Sequence, residues 1–462
     1  MAMKRFIGGQ RRVVERTVQD SASRPVPASF PSSNARAGEC RSAFNVSPPM
    51  KICVVTSHDI SEPRGVRHAI AAKRAFPNSE VTFLYYQSGS DFELQPILPI
   101  LRQNGIACRV LIFPTRISAP LVWLLRKIVT NLTIKIYAIT GFIYQGMFSE
   151  RTINLTRILK NIPSDVFFAH NFETLKPAAV AAQHHGAALI FDCMEFYSDM
   201  GDSQRANLSE AIVEIEARYL PRCQLVFASS REVATAYAET YDIDLPLAVY
   251  NSASIIQELP ERKRGALNLY WRNSVIGFGQ RGLEDILTAM AKLPADVHLY
   301  LQGSLGHDSG VALRQRIAEL DLGTKVSILP PHPLGDAVKS AAQFDVGLCL
   351  ERKGPRNHDL TVSNKMLDYH MAGLAVIASD LPGLASVIKQ SGGGLLYEPG
   401  NVEALFSAVE ALRAEPNRLA KLQQNAREFA LRDANMETEI CRVAEALQAR
   451  LAVSLHSSEN CS

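Results

Sequence analysis

The chain has 462 residues, 47% of them apolar and 21% charged, the balance of a globular protein too long for a single core. Its net charge of +3 is concentrated in residues 1–49, where Lys4, Arg5, Arg11, Arg12, Arg16, Arg24, Arg36 and Arg41 outweigh Glu15, Asp20 and Glu39. The remainder is close to neutral, and nothing in it suggests a nucleic-acid protein.

Residues 1–49 contain no contiguous apolar stretch of the signal-peptide kind and are rich in Ser, Pro and Arg. They read as a disordered basic tail, or, by the same Arg/Ser bias, as an organelle transit peptide. Met50-Lys51-Ile52 opens the first strand. Apolar runs of the buried parallel type follow at Ile52–Thr56, Val81–Tyr86, Cys108–Phe113, Val166–Ala169, Ala188–Phe191 and Leu225–Ala228, most of them separated by helical stretches. Between the third and fourth lies Pro120–Phe148, whose only charges are Arg126, Lys127 and Lys135. Lys135 and two late glycines argue against a membrane-spanning helix. Two readings stand: a basic amphipathic surface on lipid headgroups, or a helix packed into the first domain.

The polar stretch around Asn251–Gly265 interrupts the pattern as a linker does. A second series of strands is expected at Leu267–Trp271, Val297–Leu301, Val326–Leu329, Val346–Leu350, Ala375–Ala378 and Gly394–Tyr397. Charged amphipathic helices follow at Asn401–Ala414, Arg418–Ala430 and Met436–Leu451. Two series of strands alternating with helices predict two doubly wound, Rossmann-like α/β domains. The expected boundaries are a tail at 1–49, a first domain at 50–252, a linker at 253–265, a second domain at 266–430, a helix packing back at 431–451, and a short tail at 452–462.

The densest chemistry lies in SNKMLDYHMAGLAVIASDLPG, Ser363 to Gly383. Ser363 and Asn364 are good helix N-cap types, the apolar positions Met366, Leu367, Met371 and Ala372 keep helical spacing, and Gly373 stops the helix. Ala375–Ala378 then reads as a buried strand. Free N–H groups at such a helix start attract phosphate oxygens. Asp368 stands four residues after Asn364, on the same face. Amides on phosphate with a carboxylate one turn deeper suit a nucleoside diphosphate, the carboxylate taking ribose hydroxyls.

Other motifs carry less. Eight cysteines occur without C-x-x-C or a histidine at ligand spacing, and read as reduced thiols rather than a disulfide framework or zinc site. Asp242-Ile243-Asp244 is a D-x-D, but it precedes Pro246 in a loop, where turn-forming Asp is common. Gly277-Phe278-Gly279 lacks the third glycine and the downstream acid of a dinucleotide fingerprint.

The Ser363–Gly383 segment resembles the donor signature of family 4 retaining glycosyltransferases, E-x7-E-x-M-A-x-G-x-P-V-I-A-S or S-x-x-N-K-L-F-E-Y-M-A-A-G. Asp165–Asp199, Ile215–Ser252, Arg281–Leu293 and Gly392–Leu405 are similar to further segments of that family in the same order, so the likeness spans roughly Lys51 to Leu447. The resemblance implies the GT-B fold, two Rossmann-like doubly wound domains facing a central cleft. It also implies roles. Arg272 and Arg281 match the family's paired cations on the donor phosphates. Ser363, Asn364 and Lys365 match its helix start, and Asp368 its second glutamate, on ribose. The first glutamate, which touches the donor sugar, would fall at Thr361, with Asp359 near in the loop. On the first domain His170 matches a strand-end histidine. Glu195 follows Met194, where the family has histidine, and is structural or acceptor-facing. Arg64 and Arg67 enter a helix where an anionic acceptor could dock.

The reading is a cytoplasmic, metal-independent retaining glycosyltransferase with a UDP- or GDP-linked sugar as co-substrate and no cofactor. Its acceptor would be a glycan or lipid-linked glycan in cell-surface polysaccharide assembly, with peripheral membrane contact through residues 120–148. Two rivals are a nucleotide-sugar-binding protein without transfer activity and a GT-B nucleotide-sugar epimerase.

Overall fold

A computed structural model of the chain describes residues 49–459, except 59–62, 88–96, 114–115, 117, 202–207, 263–264, 280, 334 and the side chains of 452–459. The tail expected at 1–49 therefore lies almost wholly outside the described residues. The first half runs β1 (Lys51–Thr56), α1 (Pro63–Ala75), β2 (Glu80–Gln87), α2 (Ile97–Gln103), β3 (Ile106–Ile112), α3 (Pro120–Thr140), α4 (Leu155–Lys160), β4 (Val166–His170), α5 (Phe172–His185), β5 (Ala188–Cys193), α6 (Ser209–Tyr219), β6 (Leu225–Ala228), α7 (Arg231–Tyr241) and β7 (Leu247–Ala248). The second runs β8 (Leu267–Ile276), α8 (Leu283–Lys292), β9 (Val297–Leu305), α9 (His307–Glu319), β10 (Val326–Leu329), α10 (Ala337–Ala341), β11 (Val346–Cys349), α11 (Arg356–Leu360), α12 (Asn364–Met371), β12 (Ala375–Ser379), α13 (Pro382–Ser391) and β13 (Gly394–Tyr397). It ends with α14 (Val402–Ala414), α15 (Pro416–Arg432) and α16 (Met436–Glu459).

Two parallel sheets result, in the orders β3-β2-β1-β4-β5-β6-β7 and β10-β9-β8-β11-β12-β13. Each expected strand is present, and the short β7 is added at the edge of the first sheet. The central strands are covered on both faces, which is why VFFAH in β4 and AVIAS in β12 are buried throughout and show no polar alternation. Apart from β7 both sheets have the same order, reversing between β1 and β4 in one and between β8 and β11 in the other. Ligands of open α/β sheets sit beyond the carboxyl ends of the strands at such reversals. That rule picks out the residues after β1, β4, β8 and β11.

Each sheet is sandwiched between two apolar layers. The last helix returns to the first domain: Ile440, Val443, Ala444, Leu447 and Leu451 of α16 join the layer under α1. The linker is held to the second domain by Arg427, which donates to Ile256 O and Met371 O, and by Arg262, which donates to Gly373 O. One close approach fixes α12 on its sheet: a Cβ at Gly347 of β11 would stand 2.3 Å from the Tyr369 ring. The six described cysteines are all free.

Candidate functional site

Arg272 lies on β8, just before a bulge between Arg272 and Val275. Its guanidinium donates to Asp368 Oδ2 at 2.6 Å and lies 3.2 Å from His332 Nε2. The pair is well shielded, with 11% and 14% of the two side chains exposed. Burial pushes the Asp368 carboxyl up, with Arg272 pulling the other way. In the next loop Gly282, at φ 62°, starts α8 and packs against Leu350; a Cβ there would stand 2.4 Å from Leu350 O. That contact sets Arg281 beside Glu351, the residue after Leu350, and the two form an ion pair. Lys365 Nζ lies 3.8 Å from the same Glu351 oxygen, and burial lowers its pKa against the pull of that carboxylate.

Three cations and two carboxylates thus gather at the reversal of the second sheet, against the first turn of α12. Ser363 is the N-cap, and its side chain caps nothing. Met366 N already donates to Ser363 O at 3.0 Å, so it is the N–H groups of Asn364 and Lys365 that have no helical carbonyl to bond and can serve another acceptor. Of the residues expected here, Arg272, Arg281, Lys365 and Asp368 come together around the start of α12. Thr361 lies three residues before it, with its hydroxyl 2.7 Å from Asn357 O. Asp359, expected in a loop, lies in the short helix α11 and accepts from Gly354 N at 3.2 Å. Next to His332, a hollow of about 350 Å³ at the ends of β9 and β10 is lined by Gly303, Ser304, Leu305, Arg314, Ile328, Leu329, Pro330 and Pro331.

The first-domain side departs from expectation. His170 is fully buried at the end of β4, with Nδ1 3.0 Å from Asp192 Oδ2, stacked on Phe168 and tilted against His68. Arg64 is buried too; its Nε and one terminal nitrogen each lie 2.7 Å from an oxygen of Asp192, and its other nitrogen donates to Val249 O at 2.6 Å. These two residues form a closed polar core beneath the sheet edge. Arg64, at the second position of α1, and His170, at the end of β4, both turn into this interior cluster rather than outward, a placement different from the ligand-facing one expected of them. His68, His170 and Asp192 are close enough to share an ion. Both Asp192 oxygens, however, already face the Arg64 guanidinium, which repels a divalent cation. Arg67, one turn along α1, donates to Asn251 Oδ1 at 2.6 Å, and its charge is felt at Asp368 in the other domain.

Glu195, after β5, reaches across: its Oε2 is 3.3 Å from Thr361 Oγ1. The neighbouring Phe196 N donates to Asn357 Oδ1 at 2.7 Å, and Ser230 Oγ donates to Leu360 O at 2.8 Å. The 195–196 turn is therefore docked onto α11 and its C-cap Thr361, the position where the resemblance places the first glutamate. Beneath it Tyr237 Oη lies 3.1 Å from Glu195 O and 2.5 Å from Glu216 Oε1, and Tyr241 Oη lies 2.5 Å from the other Glu216 oxygen. Burial pushes Glu216 up to about 7, against those two hydrogen bonds. Met194 meets Asn171, whose Nδ2 is 3.3 Å from the thioether. Asn171 holds φ 67° and ψ 153°, a region nearly confined to glycine, and its Oδ1 accepts from Thr56 Oγ1 at 3.0 Å.

The D-x-D residues serve the fold: Asp242 ends α7 in the left-handed conformation and Asp244 pairs with Arg450 of α16. Glu351, His332, Asn357 and Asn171 escaped the sequence reading. For Glu351 one signal existed, a lone carboxylate directly after a buried strand.

Residues 275–415 match the family model described as Glycosyl transferases group 1. No curated protein matches the chain. Among solved structures, HepE of Anabaena in complex with UDP is 17% identical, with a TM-score of 0.60 over 87% of this chain and 100% of that one. Sucrose-phosphate synthase of Thermosynechococcus elongatus is 14% identical, with a TM-score of 0.63 over 87% and 100%. TarM of S. aureus, in complex with Fondaparinux, alpha-GlcNAc-glycerol and UDP, is 10% identical, with a TM-score of 0.59 over 87% and 99%. The chain therefore has the two-domain GT-B fold, and its second domain carries the sequence pattern of the group 1 glycosyl transferases.

Proposed function

We propose that this chain is a retaining glycosyltransferase that takes a sugar from a nucleoside-diphosphate donor and passes it to a glycan or lipid-linked glycan acceptor. The observation that carries this reading is the convergence of Arg272, Arg281 and Lys365 at the uncapped start of α12, at the reversal of the second sheet. A diphosphate placed there takes the Asn364 and Lys365 N–H groups and draws the cations away from Glu351 and Asp368. Asp368, one turn deeper, takes ribose hydroxyls, and the hollow at β9 and β10 takes the base. The HepE complexes with UDP and with UDP-glucose support a UDP-sugar as the first donor to try.

In transfer, the bond between the anomeric carbon and the diphosphate oxygen breaks as the acceptor oxygen bonds to the same face of that carbon. The acceptor proton passes to the leaving diphosphate. Charge on that oxygen is greatest in the transition state, where fixed cations and amides in a shielded site act most strongly. No metal is required for this. Thr361 leaves the sugar without the carboxylate that the family pattern supplies, and Glu195 brings one to the same place from the other domain. We assign Glu195 to the donor sugar hydroxyls. We propose the cytoplasm and cell-surface polysaccharide assembly as the reaction's setting, a reading that rests on the family resemblance.

Thr361 and Met194 also motivate a second reading, a nucleotide-sugar binder without transfer. A thermal-shift screen of UDP- and GDP-sugars, followed by assay of donor consumption with and without acceptors, separates the two. A ligand at about a hundred times its Kd adds about 2.7 kcal/mol of apparent stability. No shift with any donor would overturn the site; shifts without turnover across acceptors would favour the second reading.

A further inference from the structure

Away from the cleft, α3 is built inside out. It begins with Pro120 at its first turn, ends at left-handed Gly141, and buries only Thr133 among its 21 residues. Leu121, Leu125, Ile128, Leu132, Ile136 and Ile139 recur at steps of three and four, which places them on one stripe. They are 74%, 61%, 51%, 54%, 38% and 84% exposed. Phe142 and Tyr144 continue the stripe beyond the helix end, and Val122 and Leu124 flank it, all exposed. At 1.5 Å per residue the ridge from Leu121 to Ile139 is about 27 Å long.

The inward side holds groups that a surface helix normally shows to water. Thr130 Oγ1 donates to Gly146 O at 2.9 Å, and Arg126 donates to Glu150 O at 3.0 Å with its guanidinium 5.5 Å from the Phe113 ring centroid. Ile134 and Tyr137 pack against the small cluster of Met147, Leu208 and Ala211. A ridge that stays apolar for five turns while the helix spends an arginine inward is shaped to be covered.

Charge narrows the occupant. From Ile112 to Ser149 the sequence has Arg116, Arg126, Lys127 and Lys135 and no Asp or Glu. Arg126 is used internally, whereas Arg116, Lys127 and Lys135 are exposed, Lys127 with its Nζ 3.8 Å from a Glu150 oxygen. A second copy of the chain on this ridge would bring like charges together, and so would the basic first 49 residues. Trp123, over whose ring Lys127 lies, and Tyr144 are side chains that favour the boundary between headgroup and acyl chain. No helix among the described residues is long and apolar enough to cross a membrane.

We propose that α3 lies in the plane of an anionic lipid bilayer, its ridge at the acyl boundary and Arg116, Lys127 and Lys135 among the headgroups. This stands independently of the donor chemistry, and it would hold the cleft close to a lipid-linked acceptor.

Co-sedimentation of the full chain with vesicles tests it, using phosphatidylcholine alone and phosphatidylcholine mixed with phosphatidylglycerol. Three variants accompany the wild type: Leu125→Gln/Leu132→Gln/Ile139→Gln on the ridge, Lys127→Glu/Lys135→Glu on its flank, and a deletion of residues 1–48. The substituted side chains are exposed and the Lys127–Glu150 pair is a surface one, worth about 1 kcal/mol at most, so thermal midpoints should stay close to the wild type. The wild type and the deletion should pellet with the anionic vesicles. The ridge and flank variants should each bind about tenfold less or weaker still. Wild type left in the supernatant, ridge variants that still pellet, or binding lost on deletion of residues 1–48 would overturn the proposal. So would a dimer in gel filtration that the ridge substitutions dissolve.

Discussion

Replacing Asp368 with asparagine separates two jobs that the geometry gives one carboxylate. In the free protein Asp368 pairs with Arg272 at 2.6 Å in a shielded spot. In the donor complex it is assigned to ribose. Asparagine keeps a carbonyl acceptor for Arg272, so the cost to stability is the difference between a charged and a neutral hydrogen bond, about 1 kcal/mol. Removing the side chain altogether would strand the guanidinium, and breaking a buried pair costs about 3–5 kcal/mol. The ribose contact likewise falls from a charged to a neutral hydrogen bond, about 1 kcal/mol for each hydroxyl held, or about fivefold in Kd per hydroxyl. Pyrophosphate has no ribose. Its affinity should hold or improve, because Arg272 is no longer neutralised. Calorimetry with UDP, GDP and pyrophosphate on wild type and Asp368→Asn reads this directly. Unchanged nucleotide affinity, or pyrophosphate weakened as much as nucleotide, would refute the assignment.

Three further outcomes follow from the same geometry. Glu195→Ala should lower donor turnover while leaving nucleoside-diphosphate affinity near wild type, and adding Thr361→Glu should restore part of it by returning the carboxylate to the second domain; turnover unaffected by Glu195→Ala would remove Glu195 from the sugar site. Glu216 and Glu439, both pushed up to about 7 by burial, should make the fold less stable as pH rises. Below the ordinary value of 4.5 both states hold the protons; between there and about 7 the unfolded chain releases them first, so stability is progressively lost, by on the order of 3 kcal/mol per group. Urea unfolding at about pH 5 and about pH 8 checks this, with Glu216→Gln expected to flatten the difference and equal stabilities contradicting it. Turnover should survive EDTA, since amides and cations neutralise the diphosphate; loss restored by Mn²⁺ or Mg²⁺ would mean that a metal site is part of the mechanism.

The two sheets were legible because their strands are buried on both faces, and unbroken apolar runs such as Phe167-Phe168-Ala169 leave few other structures possible. The donor helix was legible because its signals are local: cap, spacing, glycine stop. The partners of those residues were not. Arg272 and Asp368 are 96 positions apart, and nothing near either names the other. Arg64 and His170 show a different limit. Their positions at the sheet edge were read correctly, but a basic side chain there can turn outward to a ligand or inward to a carboxylate. Asp192, 128 residues from Arg64, decides that. Glu195 meeting Thr361 depends on how the two domains face each other, which local pattern does not encode. Of the two readings open for the segment at 120–148, core packing fails for most of α3, whose stripe stays in water.

Calorimetric titration of the wild type and Arg281→Ala with UDP and GDP tests the central claim most directly, because the account rests on a diphosphate held by Arg281 and its neighbours at the start of α12. One nucleoside diphosphate should bind at a single site, and Arg281→Ala should weaken it by about tenfold or more. Binding of neither nucleotide, or equal affinity in the variant, would contradict it.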